Sequence, residues 1–522
     1  MKRALAANAE AFEHAAKKLV ATSGVGLLWL RSDLRVRDNR ALHHLLMSQR
    51  CASIVALFVV SASEWNAHNL APIRVRNALA NLKALEESLK KINIPLVVIN
   101  NPATRHAVPQ LVRDTAVKIK ASAVAWNIEY EVHELERDAK TCQLLSEANI
   151  APFELHDQCI VDPGKVRTKE GKPYTVFTPF KKTWIESLKK DPSLYAIRPD
   201  PQSLEEPPQD LRDAIDNLHT GIPDTLPVPY DATLPPDTVV QFVEAQFPPG
   251  EEEARTRLLG FVEKRGKAYK DQRDLPFKNG TSGLSPYLAI GVLSARECLV
   301  EALRVNNQKL DSGSDGLVTW ISELCWRDFY KQILIEFPRV CKNLPFKLET
   351  DRVPWRTDAA RLDAWREGRT GFPLVDAGMR QLAAEGWMHN RVRMVVACFF
   401  VKDLGLDWRL GEKEFMRRLV DGDFSANNGG WQWSAGTGTD AQPYFRVFNP
   451  VLQSERFDSE GMYIRKYVPE LRGLSSNKEI HDPLARMGKA RFAKLKYPEP
   501  IVDHKVASKE FVEGFKKAVA KE

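Results

Sequence analysis

The stretch Asp421-Gly-Asp-Phe-Ser-Ala-Asn427-Asn-Gly-Gly-Trp431-Gln-Trp433 is the most unusual part of this 522-residue chain. It brings two carboxylates, two adjacent asparagines, two adjacent glycines and two tryptophans close together. Such residues are poor material for a helix held by packing, but glycine lets a backbone approach a planar ligand closely. The stretch therefore predicts a ligand site rather than a packing helix.

The aspartates at its start leave three interpretations open. Asp421 and Asp423 could bind a metal or act in acid–base chemistry, could cap a helix, or could accept hydrogen bonds from the polar edge of a cofactor. The segment contains no histidine, and its surroundings lack an EF-hand pattern. We therefore predict that no metal binds here.

Composition predicts a soluble protein with more than one domain. Hydrophobic residues make up 43% of the chain and charged residues 27%, and no segment approaches the roughly 20 apolar residues of a membrane helix. The net charge of +7 suits either a nucleic-acid-binding protein or a slightly basic enzyme. Seven cysteines without a CxxC pair argue against a disulfide framework or zinc site and favour a reducing compartment.

The N-terminal part alternates between strand-like and helix-like segments. Residues 1–24 read as an amphipathic surface extension, and residues 25–155 as a Rossmann-like α/β domain with a parallel sheet. Such sheets bind ligands at the carboxyl ends of their strands. The predicted strands are Gly26–Leu30, Ser53–Val60, Pro95–Ile99 and Ala123–Trp126, with helices such as Arg74–Lys91 and Ala107–Ala121 between them.

The remaining chain predicts a connector, a helical domain and a tail. Residues 156–251 form the connector, whose proline-rich part begins at Asp191 and favours irregular structure. Residues 252–475 form an all-α domain, and residues 476–522 a basic C-terminal tail. The predicted helices of the all-α domain are Arg255–Lys267, Ala295–Asn306, Thr319–Glu336, Ala359–Glu367, Asp376–Glu385, Arg391–Asp403 and Glu412–Leu419.

Eight of the twelve tryptophans lie between Trp320 and Trp433. In the helix predicted here, Glu323, Trp326 and Tyr330 fall on one face. A carboxylate beside an indole suits a nucleobase, because one group hydrogen-bonds the base edge and the other stacks on its ring. The alternative is an amphipathic helix with its tryptophan buried.

Two further segments carry polar residues in suggestive places. The loop Thr281-Ser-Gly-Leu-Ser285 offers hydroxyl and backbone N–H groups at a helix start, which suits a phosphate, although an ordinary helix start is the alternative. Arg391 and Arg393 cannot lie on one helix face. One could therefore meet a DNA phosphate while the other turns inward to a carboxylate such as Asp421, or both could be solvated.

In this order, the motifs resemble those of the photolyase/cryptochrome family. The resemblance runs from Leu27 to about Gly473 and includes the segments Trp29–Asn39 and Tyr174–Phe180. Within the family the chain most resembles class I cyclobutane pyrimidine dimer photolyases. Asn427 stands where that class has an amide facing the reactive flavin nitrogen, and Met394 stands where 6-4 photolyases have a histidine.

The resemblance implies a set of site residues. FAD would be held by Tyr269, Thr281, Ser282, Gly283, Leu284, Ser285, Asn390, Arg393, Asp421, Gly422, Asp423 and Asn427. The flipped-out dimer would meet the catalytic residues Glu323, Trp326, Asn390, Met394 and Trp433, with Asn427 beside the flavin. DNA would run along Arg273, Glu323, Trp326, Arg327, Tyr330, Asn390, Arg391, Arg446, Gln453 and Arg456.

The family also implies an electron path and an antenna. Trp431, Trp408 and Trp355 match the tryptophan chain that carries an electron from the surface to the flavin. Members with a folate antenna contact it through an Asn-Glu pair and a Cys-Lys pair. Glu134, Cys341 and Lys342 match, but His133 replaces the asparagine, and methenyltetrahydrofolate is the antenna that the resemblance favours.

The implied activity is light-driven repair of pyrimidine dimers in UV-damaged DNA, by an electron from excited reduced FAD. One alternative is a blue-light receptor of the same fold, either without repair activity or with both roles. The other is a nucleic-acid-binding scaffold without catalysis. We expect a monomer that does not enter membranes. Its expected location is nuclear or mitochondrial in a eukaryote and cytoplasmic in a bacterium.

Overall fold

The computed structural model describes residues 24–49, 51–100, 104–226 and 235–520. The predicted N-terminal extension lies outside these residues, apart from Gly24. Five parallel strands form one sheet in the order β3-β2-β1-β4-β5. The strands are β1 Val25–Leu30, β2 Ser53–Val60, β3 Leu96–Asn100, β4 Ala121–Asn127 and β5 Ala151–Leu155.

The sheet confirms the predicted Rossmann-like domain. Strand order reverses between β1 and β4, so the carboxyl ends of these strands flank a crevice. The four predicted strands are confirmed, with ends that differ by at most two residues. Strand β5 was not predicted, because Pro152 and Glu154 interrupt its apolar pattern. Both residues are tolerated because β5 lies at the edge of the sheet.

Helices cover both faces of the sheet and build nearly all of the second domain. No helix in the described ranges is both long and apolar enough to cross a membrane. In the first half of the chain the helices are α1 Arg40–Met47, α2 Ala62–Ala67, α3 Pro72–Lys90, α4 Val108–Lys118, α5 Val132–Glu147, α6 Phe177–Lys190, α7 Gln209–Asp216 and α8 Asp237–Gln246.

The second half of the chain continues with α9 Glu251–Lys264, α10 Tyr269–Gln272, α11 Ser285–Ala289, α12 Ala295–Val305, α13 Asp315–Glu336, α14 Ala359–Arg366, α15 Pro373–Glu385 and α16 Asn390–Lys402. The last helices are α17 Trp408–Arg418, α18 Phe424–Ala435, α19 Pro450–Phe457, α20 Met462–Tyr467, α21 Asn477–His481, α22 Pro483–Met487, α23 Lys489–Phe492 and α24 His504–Val519. All seven helices predicted for this region are present, with shifted ends, because their apolar periodicity is strong.

The connector is more ordered than its proline content suggests. Within its described residues, α7 and α8 interrupt the irregular chain, and α6 precedes them. Trp184 of α6 is fully buried, and its indole nitrogen donates a hydrogen bond of 2.9 Å to Asp328 of α13. The connector is therefore anchored to the helical region. The domain boundaries themselves stay a prediction.

The predicted basic tail also packs against the helical region. Ile480, Phe492, Tyr497 and Phe515 are all buried, and the Tyr497 hydroxyl donates to the carboxylate of Asp376. Charge dominated the sequence pattern here, since the apolar residues are widely spaced among lysines and arginines. The segment forms four helices, which were not predicted.

A buried cluster of charges joins the sheet to the helical region. Arg296 at the start of α12 is fully buried and lies 2.8 Å from Asp38 and 2.7 Å from Asp157. Arg35 pairs with the other oxygen of Asp157. Burial alone would raise the pKa of Asp157, but the two arginines hold it well below its ordinary range.

Replacing Arg296 with methionine should lower the free energy of unfolding by about 3–5 kcal/mol, because it removes the ion-pair partner of buried Asp38 and one of the two arginines that bind Asp157. Urea denaturation followed by tryptophan fluorescence measures the loss. Arg304→Met on the same helix is the control, since its pairs with Glu263 and Glu301 are surface contacts that contribute at most about 1 kcal/mol. Equal stability of the two variants would contradict this account.

Candidate functional site

Most of the stretch Asp421–Trp433 lies in helix α18, so the prediction that it would not pack as a helix was wrong. Asp423 caps its N-terminus, accepting hydrogen bonds from the Ala426 backbone at 3.0 Å and from the Ser425 hydroxyl. A side-chain bond of 2.8 Å from Gln432 to Asn428 stabilises the next turn. The capping interpretation of Asp423 is therefore confirmed.

Its glycines serve two different purposes. A Cβ atom at Gly429 would lie 2.3 Å from the ring of Tyr330, so this glycine permits close contact between α18 and α13. Gly430 has no atom within 4 Å of the corresponding position and faces open space. Only Gly430 thus keeps the predicted role of leaving room for a ligand.

Asp421 is buried beside the start of α16. Arg393 binds both of its oxygens, at 3.0 and 2.9 Å, and its Nε atom donates to the Met388 carbonyl at 2.8 Å. Arg391 turns the other way, to Asp274 at 2.9 Å, with its guanidinium 4.5 Å from the centre of the Phe457 ring. Of the alternatives left open for these two arginines, the inward turn of one of them to Asp421 is the one observed, and Arg393 makes it.

Asn427 has a fixed orientation. Its amide nitrogen donates to the backbone carbonyl of Glu412 at 2.9 Å and lies 3.4 Å from the Glu412 carboxyl group. Burial raises the pKa of Glu412 to about 7, so this carboxyl is largely protonated at lower pH. Because the nitrogen is held by Glu412, the carbonyl oxygen of Asn427 is left as an acceptor for a ligand.

Helix α13 presents Glu323 and Trp326 toward the same region. Glu323 forms a 2.5 Å ion pair with Arg273, and the Trp326 ring stacks on Phe177 at 3.6 Å with an interplanar angle of 8°. The nucleobase face predicted for this helix is therefore built from a carboxylate held by an arginine and an indole backed by a second aromatic ring. Near it, Asn390 is exposed and its amide nitrogen lies 3.9 Å from the Met394 sulfur, while Trp433 is half-buried against Phe448.

Two residues expected along DNA lie elsewhere. Arg327 donates to the Gln158 carbonyl and lines the crevice between the sheet and the helices. Tyr330 packs against Gly429 and stacks on Trp326 at 5.5 Å. Arg327 lies one helical turn from both Glu323 and Lys331, so the spacing alone did not indicate which of the two it would accompany. Of the others, Arg446 and Arg456 are exposed, and Gln453 is half-buried one turn into α19.

The predicted phosphate loop is bordered by two arginines that were not predicted. Arg265 donates to the Thr281 carbonyl at 2.8 Å, and Arg257 lies 2.9 Å from the position that a Cβ atom at Gly283 would occupy. Gly283 has a φ of +65°, which suits glycine. Arg257 lies in α9 and Arg265 directly follows it. Their spacing did not indicate a phosphate site, since arginines at these positions resemble ordinary solvated residues. Tyr269 is buried nearby under Arg273.

Comparisons with known proteins identify the family. The family model described as the FAD binding domain of DNA photolyase matches residues 320–517, and the model described as DNA photolyase matches residues 26–202. This chain belongs to the DNA photolyase family. The arrangement of its sheet, connector and helices is accordingly the α/β domain and helical FAD-binding domain of that family.

Individual relatives agree. The chain is 40% identical over 514 residues to a deoxyribodipyrimidine photo-lyase of Neurospora crassa, covering 95% of this chain and 82% of that protein. It is 40% identical over 481 residues to the Escherichia coli protein of the same name, covering 92% and 96%. The solved structure of a class III photolyase from Agrobacterium tumefaciens matches with a TM-score of 0.79 at 32% identity, covering 95% and 98%.

The described residues fit the FAD that this photolyase domain binds. Arg257 and Arg265 supply positive charge at a loop of hydroxyl and backbone N–H groups, as a pyrophosphate requires. The free oxygen of Asn427 and the open space at Gly430 suit a planar ring with polar edges. These features come from separate elements, α9, the loop before α11, and α18.

The three tryptophans of the predicted electron path lie in one apolar core. Trp431 and Trp408 are buried, and Trp355 is half-buried at its rim. A Cβ atom at Gly411 would lie 2.1 Å from the Trp431 ring, so α17, which carries Trp408, directly contacts this indole. The Arg356 backbone pairs with Gly405 at 2.8 Å, which brings Trp355 beside the start of α17.

A cleft of about 1150 Å³ lies between the carboxyl ends of β1, β2 and β4 and the helical domain. Glu134 lines this cleft and forms a 2.9 Å ion pair with His68, which carried no sequence signal. His133 lies next to His68, with ring centres 5.4 Å apart. Cys341 lies by the start of α5, and burial raises the pKa of its thiol. Three of the four predicted antenna residues are thus brought together, while Lys342 is exposed.

Glu64, His68 and Glu134 are the one group in the described ranges with the spacing of metal ligands. Arg137 lies 2.6 Å from Glu64, however, and His68 already pairs with Glu134. Burial by itself would raise the pKa of Glu134, but His68 holds it below its ordinary value. The charges of this group are therefore balanced by protein side chains.

Glu412→Gln should remove a pH-dependent cost of folding. The folded pKa of Glu412, about 7, lies above its ordinary value, so ionising this group destabilises the native protein as pH rises from about 4.5 through 7. The free energy of unfolding of the variant, relative to that of the native protein, should increase by about 2–3 kcal/mol from pH 5 to pH 8. Urea denaturation at both pH values measures it, with exposed Glu263→Gln as control. A difference that does not change with pH would refute the assignment.

Proposed function

We propose that this protein repairs cyclobutane pyrimidine dimers in UV-damaged DNA, using light. The observation that carries the proposal is the packing of α13, which bears Glu323 and Trp326, against α18, which bears Asn427, through the contact of Tyr330 with Gly429. Two relatives that share 40% of its residues are named deoxyribodipyrimidine photo-lyases. FAD, when bound, supplies the light-driven electron that the dimer must receive, because hydrolysis cannot open a cyclobutane ring.

The protein's own residues position the two reacting groups. Asn427, held by Glu412, would offer its carbonyl oxygen to the flavin, and Arg393 with Asp421 would provide a balanced pair of charges beside it. An amide cannot readily release a proton, so Asn427 would tune the ring without protonating it.

Glu323 and Trp326 would bind the dimer. The indole of Trp326 is backed by Phe177 and can stack on a pyrimidine, and the carboxyl of Glu323, fixed by Arg273, can bond to the polar edge. Asn390, Met394 and Trp433 complete the pocket. The dimer must leave the duplex to enter it, and damaged bases do so at reduced cost because they pair and stack poorly.

The DNA strand would follow the exposed basic side chains around this pocket. Arg446 and Arg456 are exposed on either side of Gln453, and Arg391 reaches the same area beside Phe457. Contacts from these arginines to phosphates would make binding sensitive to salt. The protein would act as a monomer, since one chain provides the whole pocket.

The decisive experiment is light-dependent repair. Reduced, FAD-bound protein should remove dimers from a UV-damaged oligonucleotide under blue light and not in darkness. A blue-light receptor would keep FAD yet leave the dimers intact, and a binding scaffold would not hold FAD. Absence of light-dependent repair by flavin-bound protein therefore refutes the proposal.

Trp326→Ala should weaken binding of the damaged oligonucleotide about tenfold, or about 1.4 kcal/mol, through loss of stacking. Glu323→Ala should instead lower repair per bound dimer. Both variants should keep FAD, measured by absorbance, since neither residue faces the phosphate loop. Exposed Glu263→Ala is the control and should match the native protein in both measurements. Loss of FAD from Trp326→Ala with normal DNA binding would mean that α13 is misassigned.

The proposed antenna site is the cleft at the carboxyl ends of β1, β2 and β4, with methenyltetrahydrofolate as its ligand. The ionised pair of His68 and Glu134, with His133 beside it, offers both a donor and an acceptor to a pterin ring. Reconstitution with this folate should add a near-ultraviolet absorption band that Glu134→Ala abolishes. Equal folate retention by Glu134→Ala and by exposed Glu136→Ala would contradict the site.

A further inference from the structure

A short loop after α18 ties the connector to the region that is proposed to bind the dimer. The hydroxyl of Thr439 donates a hydrogen bond of 2.7 Å to the Thr175 carbonyl. The backbone N–H of Phe177 donates to the Oδ2 atom of Asp440 at 3.1 Å. The loop therefore holds the connector at two nearby points.

Asp440 caps the N-terminus of α6, although it lies 263 residues further along the chain than Phe177. Phe177 is the first residue of α6, and the residue before it, Val176, has an apolar side chain that cannot accept a bond from the helix. The first N–H groups of a helix have no partner within the helix, and the helix dipole favours a carboxylate beside them. Asp440 thus fixes the place where α6 begins.

The backbone around Asp440 aims this carboxylate in one direction. Asp440 has a φ of +44°, in the left-handed region that most side chains avoid and that Asn and Asp tolerate best. Two residues earlier, a Cβ atom at Gly438 would lie 2.8 Å from the Cβ atom of Gln432, so the loop is pressed against α18. The carboxylate is therefore held toward α6 by a loop with little freedom to move.

Phe177 carries the effect of this cap to the proposed dimer pocket. Its ring is 8% exposed and stacks on Trp326 with ring centres 3.6 Å apart and an interplanar angle of 8°. It also meets the ring of Phe329 edge to face at 5.8 Å. Burial raises the pKa of Tyr330, and the charge of Asp440 adds to this shift, so Asp440 lies beside the same helix, α13.

We propose that Asp440 is a positioning residue for dimer binding. By capping α6 it holds Phe177 against Trp326 and so fixes the indole on which a pyrimidine would stack. The proposal rests on the function proposed above, in which Trp326 binds the dimer. A platform that is already ordered binds more tightly, because less conformational freedom is lost on binding.

The direction of the effect separates this role from simple electrostatics. DNA is a polyanion, so removing a nearby carboxylate by itself strengthens the binding of any DNA. Loss of the cap instead leaves Phe177 and Trp326 free to move, which weakens the binding of DNA that contains a dimer but not of intact DNA. A selective loss of affinity is therefore expected only if Asp440 acts through the two rings.

Binding is measured in the dark with full-length, flavin-bound protein and with damaged and intact oligonucleotides. Asp440→Gly removes the carboxylate but tolerates the left-handed backbone, and it should bind the damaged oligonucleotide about fivefold more weakly, a smaller loss than deletion of the Trp326 ring causes. Asp440→Asn keeps an oxygen acceptor and should stay within about twofold of the native protein. Asn307→Gly is the matched control, since Asn307 is exposed and has a φ of +53°. Equal affinities of Asp440→Gly and Asn307→Gly would overturn the proposal.

A double-mutant cycle with Trp326→Ala tests the route of the effect. Once the indole is absent, Asp440→Gly should cause no further loss of affinity for the damaged oligonucleotide. A second loss of the same size would show that Asp440 acts elsewhere and would also overturn the proposal. Failure of the function itself looks different, because the native protein would then neither prefer the damaged oligonucleotide nor repair it in light. A native protein that repairs dimers, matched by Asp440→Gly in dimer affinity, would reject the positioning role alone.

Discussion

The buried pairing of Arg35 and Arg296 with Asp38 and Asp157 fixes the relation between the two domains. The four partners come from three places: Arg35 and Asp38 from the loop after β1, Asp157 from the chain after β5, and Arg296 from the start of α12. Such a cluster is weak evidence of stability by itself, since desolvation offsets much of the attraction. What it enforces is geometry, because any displacement of the sheet would leave a buried charge without its partner.

That geometry creates the cleft at the carboxyl ends of β1, β2 and β4. The β1 loop holding Arg35 also contains Asp33, which accepts a 2.6 Å bond from Asn127 at the end of β4 and so orders both rims of the crevice. The helical domain closes the crevice with Leu288, Arg327 and Lys331. Fold and site are therefore linked through one polar layer that joins β1, β4, the chain after β5 and α12.

Periodicity in the sequence was sufficient for most of the fold and for part of the site. The strands and long helices followed from apolar repeats. The incompatibility of Arg391 and Arg393 on one helix face indicated that one of them could turn inward to Asp421, but not which one. Helix α18 did not follow from periodicity, because its stability depends on the Asp423 cap and on Tyr330, which lies 99 residues before its contact Gly429. His68, Arg257 and Arg265 escaped notice for the same reason: their roles arise from neighbours that only the tertiary structure supplies.

Lys331 draws these levels together. It is 3% exposed on α13, 3.0 Å from Asp423 at the cap of α18 and 3.5 Å from Glu131 at the cleft beside the carboxyl ends of β1, β2 and β4. Burial opposes its charge, yet the two carboxylates raise its pKa, so the ammonium form persists. A neutral side chain would remove the nearest counter-charge of Asp423, leaving only Arg327 nearby, and weaken the cap on which α18 begins. The same charge therefore stabilises the start of α18 and borders the cleft proposed for the antenna. Helix α13 is thus the element that both sites share.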